Sequence, residues 1–140
     1  MYFLALFLFG IVVSANGGSP AEEAKKFLKN ELDLFVKCAT DAKLNPEDVL
    51  AQFVNKKELQ STREIKCLAL CHLKSINIIK EDGVLDWGRL DEINKIEYID
   101  PKEVEKALLL SSHCRKIVPA KYDGDQCEHA FIATKCYLEE

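Results

Sequence analysis

The chain has 140 residues, of which 48% are hydrophobic and 30% are charged. This composition is typical of one globular domain and excludes a collagenous chain, a disordered chain or a multi-domain enzyme. A net charge of −4 argues against nucleic acid as a partner, because phosphate binding requires a basic face. Six cysteines in so short a chain favour an oxidising compartment.

Residues 1–15 are predicted to be a signal peptide. Thirteen of these fifteen residues are apolar and none has a charged side chain, and the run is shorter than the ~20 residues of a transmembrane helix. Val13-Ser14-Ala15 offers the small residues that a signal peptidase requires. We therefore expect cleavage before Asn16, a secreted protein without stable membrane insertion, and a mature domain over residues 16–140. The alternative is a membrane-anchoring or buried N-terminal helix.

Helix-start signals then recur along the chain. Each places a capping side chain ahead of an acidic or amide residue that can complete the first turn. They are Ser19 with Glu22, Asn45 with Glu47 and Asp48, Ser61 with Glu64, Asp100 with Glu103, and Asp123 with Gln126. A weaker segment begins at Asp86. Apolar residues follow each signal at helical spacing, as in the stripe of Ala24, Phe27, Leu28, Leu32 and Phe35. The pattern predicts an all-α domain of about six helices, with Asp and Glu at helix starts and on exposed faces.

The six cysteines restrict how these helices can be joined. Cys67 and Cys71 are four residues apart and share one helix face, which favours two different partners. Cys127 and Cys136 are nine residues apart and point to opposite faces of a helix. Most of the 15 possible pairings of six cysteines remain open at this point.

The cysteine spacing resembles that of the insect odorant-binding proteins of the pheromone/general odorant type. Three residues separate Cys67 from Cys71 and eight separate Cys127 from Cys136, as between the second and third and the fifth and sixth cysteines of that family. Three further stretches of sequence are also similar to the family: Cys67-Leu-Ala-Leu-Cys71, the turn at Gly83 and the segment Lys135-Cys136-Tyr137. The resemblance covers the whole of residues 16–140.

The resemblance implies a compact six-helix domain around an apolar cavity, with three interlocked disulfides: Cys38–Cys71, Cys67–Cys127 and Cys114–Cys136. It also implies a secreted carrier of small apolar, odorant- or pheromone-like molecules, as a monomer or weak homodimer. The sequence has no nucleophile elbow, phosphate-binding glycine loop or zinc-hydrolase motif, so we expect no enzymatic activity and no cofactor. We expect a pocket of a few hundred cubic ångströms. Mapped by position, its walls are Leu73, Ile78, Trp87, Leu90, Ala107, Leu108, Ser111, Phe131, Thr134 and Tyr137. Ser111, Thr134 and Tyr137 are the candidate hydrogen-bonding residues.

Only four residues follow Cys136, whereas many family members have a longer tail that folds over the pocket. We therefore expect a pocket that is open at that end or closed by a neighbouring molecule, without tail-driven release of ligand. The three histidines, His72, His113 and His129, match no zinc template and are expected on the surface or at the rim, where they could titrate in the acidic range.

Two other functions remain open. The first is a salivary or haemolymph scavenger of amines or lipids on the same fold. The second is a small disulfide-rich enzyme or a saposin-like membrane-active protein, which requires a different cysteine spacing and a broad exposed apolar face.

Overall fold

The computed structural model describes residues 19–54 and 59–139, and this part of the chain forms six α-helices. The predicted signal peptide lies outside the described residues. The helices are α1 (Ser19–Asp41), α2 (Pro46–Val54), α3 (Arg63–Ser75), α4 (Trp87–Glu97), α5 (Pro101–Ile117) and α6 (Gln126–Glu139). The all-α prediction is confirmed. None of the described helices is both long enough and apolar enough to cross a membrane.

Three residues at predicted helix starts cap their helices. Asn45 accepts two backbone hydrogen bonds at 2.9 and 3.1 Å at the start of α2. Asp86 and Asp100 each accept one, at 3.0 and 2.9 Å, at the starts of α4 and α5. Each side-chain oxygen satisfies N–H groups of the first turn that have no partner within the helix.

Two helices begin later than the sequence predicted. α3 is capped by Thr62, which accepts a hydrogen bond from the third residue after it, and not by Ser61. α6 is capped by Asp125, whose side chain accepts a 2.9 Å bond from the N–H of Cys127, and not by Asp123. In both regions several capping-type residues lie side by side, and the sequence does not distinguish which one reaches the free N–H.

The loop between α3 and α4 is held against the start of α6. Ile79 and Leu85 form an isolated antiparallel bridge, and the N–H of Leu85 donates to the carbonyl of Ala120 at 2.9 Å. Gly83 turns the loop with a φ of +85°, and a Cβ there would lie 2.8 Å from the side-chain oxygen of Gln126. Only glycine fits this turn without strain.

Three disulfides cross-link four of the helices. All six cysteines are paired, and the pairing implied by the family resemblance is confirmed. The first bond joins α1 to α3, the second α3 to α6 and the third α5 to α6: Cys38–Cys71, Cys67–Cys127 and Cys114–Cys136. The most extensive helix contact is between α3 and α6, so α3 forms the centre of the domain.

Breaking a disulfide is expected to lower the free energy of unfolding, and more so for the longer loop. The Cys67–Cys127 bond spans 60 residues and the Cys114–Cys136 bond spans 22. Restriction of the unfolded chain predicts losses of about 4 and about 3 kcal/mol when each pair is replaced by serine. Urea unfolding of the two double variants measures both losses. If the Cys67/Cys127 variant had the same unfolding free energy as the wild type, the stabilising role of this disulfide would be contradicted.

Candidate functional site

A small cavity lies where α3, α4 and α6 meet the loop between α3 and α4. Its volume is ≈10 Å³, about the space that one water molecule requires. Its walls are mainly apolar, and two polar side chains come from α6. The lining residues are Leu73, Ile78, Leu85, Trp87, Leu90, Ala133, Thr134 and Tyr137.

Six of the ten predicted site residues line this cavity: Leu73, Ile78, Trp87, Leu90, Thr134 and Tyr137. Their contact with a ligand remains a prediction. Leu85 and Ala133 also line the cavity and were missed. Ala133 is the neighbour of Thr134 on α6, and Leu85 is an apolar residue in a loop, where helical spacing gives no signal.

The other four predicted residues lie elsewhere. Ala107 is buried but lines a groove on the outside of α5, and Leu108 is half-buried. The ring of Phe131 lies under the ammonium group of Lys66, 5.4 Å from its centroid. Ser111 is buried and donates a 2.7 Å hydrogen bond to Asp91. The structure therefore does not bring these four residues to the cavity wall.

The expected size of the pocket was wrong for this structure. The cavity is far smaller than a few hundred cubic ångströms, because the side chains around it pack inward. The ring of Trp87 stacks on that of Tyr137, with centroids 6.4 Å apart and an interplanar angle of 27°. Beyond Cys136, α6 continues to Glu139, and Tyr137 and Leu138 are buried.

The two polar side chains of the cavity have unused hydrogen-bonding capacity. Thr134 Oγ1 and Tyr137 Oη are buried and have no hydrogen-bond partner among the described residues. Burial raises the pKa of Tyr137 above its ordinary value, although Ser111 and Asn94 lie beside its hydroxyl. The hydroxyl is therefore neutral at physiological pH and can donate a hydrogen bond.

A cluster of polar side chains is buried between α1, α3 and α4. Glu31, His72 and Glu97 are 1%, 1% and 4% exposed. His72 Nε2 lies 3.1 Å from Glu31 Oε1, and the imidazole packs edge-on against Phe35. The expectation that acidic residues lie only at helix starts and on exposed faces was wrong, as was the surface position expected for His72. All three residues lie on the face of their helix that points into the core. They are therefore buried although their side chains are polar.

The carboxyl group of Glu97 is held in its protonated form. Burial raises its pKa well above the ordinary value, and the neighbouring Glu31 carboxylate raises it further. Two carboxylates cannot both be charged at close range in a poorly solvated interior. A proton is therefore expected to stay on Glu97 at a higher pH than on an exposed glutamate.

The sequence did contain a signal for this cluster. Glu31 lies three residues after Leu28 and four before Phe35, so it occupies the same stripe as these buried residues. Glu97 lies seven residues after Leu90 and four after Ile93 in the same way. A polar residue in phase with an apolar stripe is the pattern that identifies such a site.

The remaining histidines have different positions. His129 is buried, with Nε2 2.6 Å from the carbonyl of Pro119 and its ring stacked on Tyr122. Its expected surface position was also wrong, because this hydrogen bond attaches the α5–α6 loop to α6. His113 is exposed, as expected. Among the described residues, no group of three His, Cys, Asp or Glu side chains could hold a metal ion.

The domain also has a larger open groove on the outside of α5. Its volume is ≈530 Å³, and its walls include Tyr98, Leu109 and His113 together with the charged Glu103 and Lys106. Leu109 is 65% exposed. The groove is open to solvent and is lined by charged groups, so it lacks the enclosure that an apolar ligand requires.

The sequence and the fold are similar to those of known proteins. The sequence model of the PBP/GOBP family matches residues 20–140. The chain is 25% identical over 141 positions to general odorant-binding protein 19d of Drosophila melanogaster, covering 100% of this chain and 90% of that protein. Its structure resembles that of odorant-binding protein dmelOBP28a from Drosophila melanogaster, with a TM-score of 0.63, 29% identity, and coverage of 82% of this chain and 92% of that chain.

Replacing Glu97 by glutamine is expected to change how stability depends on pH. Because the folded-state pKa of Glu97 is raised, its stabilising contribution is complete below the unfolded pKa of about 4.3 and is lost as pH rises toward the folded pKa. Glu97→Gln is neutral at every pH. It should therefore gain stability over the wild type as pH increases from 4 to 8.

Urea unfolding at several pH values measures this difference. The matched control is Glu92→Gln, which changes an exposed carboxylate on the same helix and should show no such gain. A constant difference between Glu97→Gln and the wild type from pH 4 to 8 would contradict the raised pKa of Glu97.

Proposed function

Because the chain belongs to the PBP/GOBP family over residues 20–140, we propose that it is a secreted carrier of small hydrophobic molecules. The ligand binds reversibly in the cavity between α3, α4 and α6, and residues 1–15 are the signal peptide removed on secretion. The function is binding and transport through an aqueous fluid, not catalysis.

The observation that carries this proposal is the composition of the cavity wall. Six of the eight lining residues are aliphatic or a tryptophan, and the two others, Thr134 and Tyr137, have polar atoms without partners among the described residues. Apolar walls with a few polar groups are typical of sites for small organic ligands. The wall gives affinity through burial, and the two hydroxyls orient a ligand oxygen.

The size of the cavity determines the expected affinity. A ligand that buries about 300 Å² of apolar surface gains about 7 kcal/mol, which corresponds to a dissociation constant of about 10 μM. The cavity of ≈10 Å³ must open first. The apparent affinity is then reduced by the fraction of molecules that are open.

The Trp87–Tyr137 stack is the part of the wall that we expect to move. Trp87 is the first residue of α4, directly after the α3–α4 loop, and Tyr137 lies in the last turn of α6. Residues at helix ends are held by fewer backbone hydrogen bonds than residues in the middle. Separation of the two rings would create the space between Leu73 and Leu90.

The other candidate functions have different support. A scavenger of amines or lipids on the same fold uses the same cavity and differs only in its ligand. A saposin-like membrane-active protein is less supported, because the exposed large hydrophobic residues of the described chain are scattered: Val36, Ile99, Leu109 and Ile117. They belong to α1, the α4–α5 junction and α5 and do not suggest one broad face.

Titration with 1-octanol is expected to change the fluorescence of Trp87. This residue is the only tryptophan of the chain and lines the cavity, so its emission reports directly on occupancy. Displacement of Nile red measures binding independently. Displacement without any change in tryptophan emission would place the ligand elsewhere and contradict the proposed site. Leu109→Ala, in the outer groove, is the matched control and should leave both signals unchanged.

Thr134→Val is expected to weaken binding of 1-octanol but not of octane. The substitution keeps the shape of the side chain and removes the hydroxyl that we assign to the ligand oxygen. One lost hydrogen bond of about 1 kcal/mol predicts about a fivefold loss of affinity. Thr40→Val, which removes an exposed hydroxyl on α1, is the control. Equal losses of affinity for 1-octanol and octane would show that Thr134 contributes only through the shape of its side chain.

A further inference from the structure

The cavity wall contains two aromatic rings that pack against each other. The ring of Trp87 stacks on that of Tyr137, with centroids 6.4 Å apart and an interplanar angle of 27°. This separation lies within the range of about 4.5–7 Å at which aromatic rings attract each other. Both side chains are 7% exposed, so the stack belongs to the interior. The remaining lining residues carry no ring: Leu73, Ile78, Leu85, Leu90, Ala133 and Thr134.

The two rings belong to helices that no disulfide joins. Trp87 is the first residue of α4, which contains no cysteine. Tyr137 follows Cys136, whose disulfide ties the end of α6 to α5, and a second disulfide ties α6 to α3. The α4 side of the cavity is therefore the side without a covalent cross-link. Space for a ligand is created most readily there, at the contact between Trp87 and Tyr137.

Separating the two rings removes their mutual stacking, and the shape of the ligand decides whether that loss is recovered. A planar aromatic ring inserted between them stacks on both, so that two ring contacts replace one. At about 4.5 Å from each neighbour, such a ring requires the centroids of Trp87 and Tyr137 to lie about 9 Å apart. A saturated ring has hydrogen atoms that project from both of its faces. It therefore needs a wider opening and recovers no stacking.

We propose that Trp87 and Tyr137 form an aromatic clamp, and that the cavity selects ligands with a planar ring that enters between these two side chains. This assignment rests on the proposed carrier function and defines the class of ligand as a small aromatic molecule with an oxygen-bearing group. The ligand ring replaces the direct contact between the two protein rings. Its polar group lies beside Thr134, which is about one helical turn before Tyr137 on α6.

Phenylbutanol and cyclohexylbutanol, each with its ring at the end opposite the hydroxyl, are a matched pair for the test. They share a carbon skeleton and a hydroxyl group and differ in whether the ring is flat. The saturated compound has the larger apolar surface, so burial alone would favour cyclohexylbutanol. We expect phenylbutanol instead to bind more tightly, by about fivefold, as measured by displacement of Nile red and by calorimetry.

Proton NMR of the ligand measures where the ring lies. Protons held over the face of an aromatic ring resonate upfield of their usual position. The ring protons of bound phenylbutanol should therefore move upfield, and more strongly than the protons beside its hydroxyl group.

Trp87→Leu and Tyr137→Leu each remove one face of the aromatic clamp. Each should reduce the preference for phenylbutanol by about fivefold and lessen the upfield shift of its ring protons. Tyr137→Phe keeps the ring and should restore the preference that Tyr137→Leu loses. Leu109→Ala, in the outer groove, is the control and should keep the full preference. Circular dichroism checks that each variant is folded, and the comparison of the two ligands on the wild type requires no variant.

The outcomes separate the two proposals. Equal or tighter binding of cyclohexylbutanol to the wild type, or an unchanged preference in both leucine variants, would overturn the aromatic clamp and leave the carrier function intact. Failure of phenylbutanol, cyclohexylbutanol, 1-octanol and Nile red to bind at all would overturn the carrier function and the aromatic clamp with it.

Discussion

The covalent cross-linking of α3 to α1 and α6, and of α5 to α6, is the constraint on which the rest of the structure depends. A domain of this size buries too little apolar surface to tolerate many defects in its core. By restricting the unfolded chain, the disulfides offset the cost of an interior that contains carboxyl groups and unpaired hydroxyls. They also fix α3 and α6, so that the two long walls of the cavity stay in place when the third wall moves.

The interior that results is closely packed and contains both apolar and polar side chains. Its apolar part, around Leu73 and Leu90, is filled by the side chains themselves, and its polar part extends from Tyr137 to the buried pair of Glu31 and Glu97. Burial and the neighbouring Glu31 raise the pKa of Glu97, which limits the negative charge held in this part of the interior. Occupancy of the cavity and its opening are therefore linked in the proposed function.

Most of the fold could be predicted from the sequence, and the site only in part. Capping residues such as Asn45 give local signals that do not depend on the rest of the chain. The cysteine spacing identified the family resemblance, and that resemblance implied the disulfide pairing. Helical periodicity identified which face of α4 points inward but treated Glu97 as a surface residue because of its charge. It also gave no measure of how closely Trp87 and Tyr137 pack, since cavity volume depends on side-chain conformations that spacing does not determine.

A crystal structure of the protein with 1-octanol bound tests the central claim most directly. The account predicts the ligand between Leu73 and Thr134, with the rings of Trp87 and Tyr137 farther apart than the 6.4 Å of the closed form. Octanol in the outer groove beside Leu109, with the interior still closed, would contradict it.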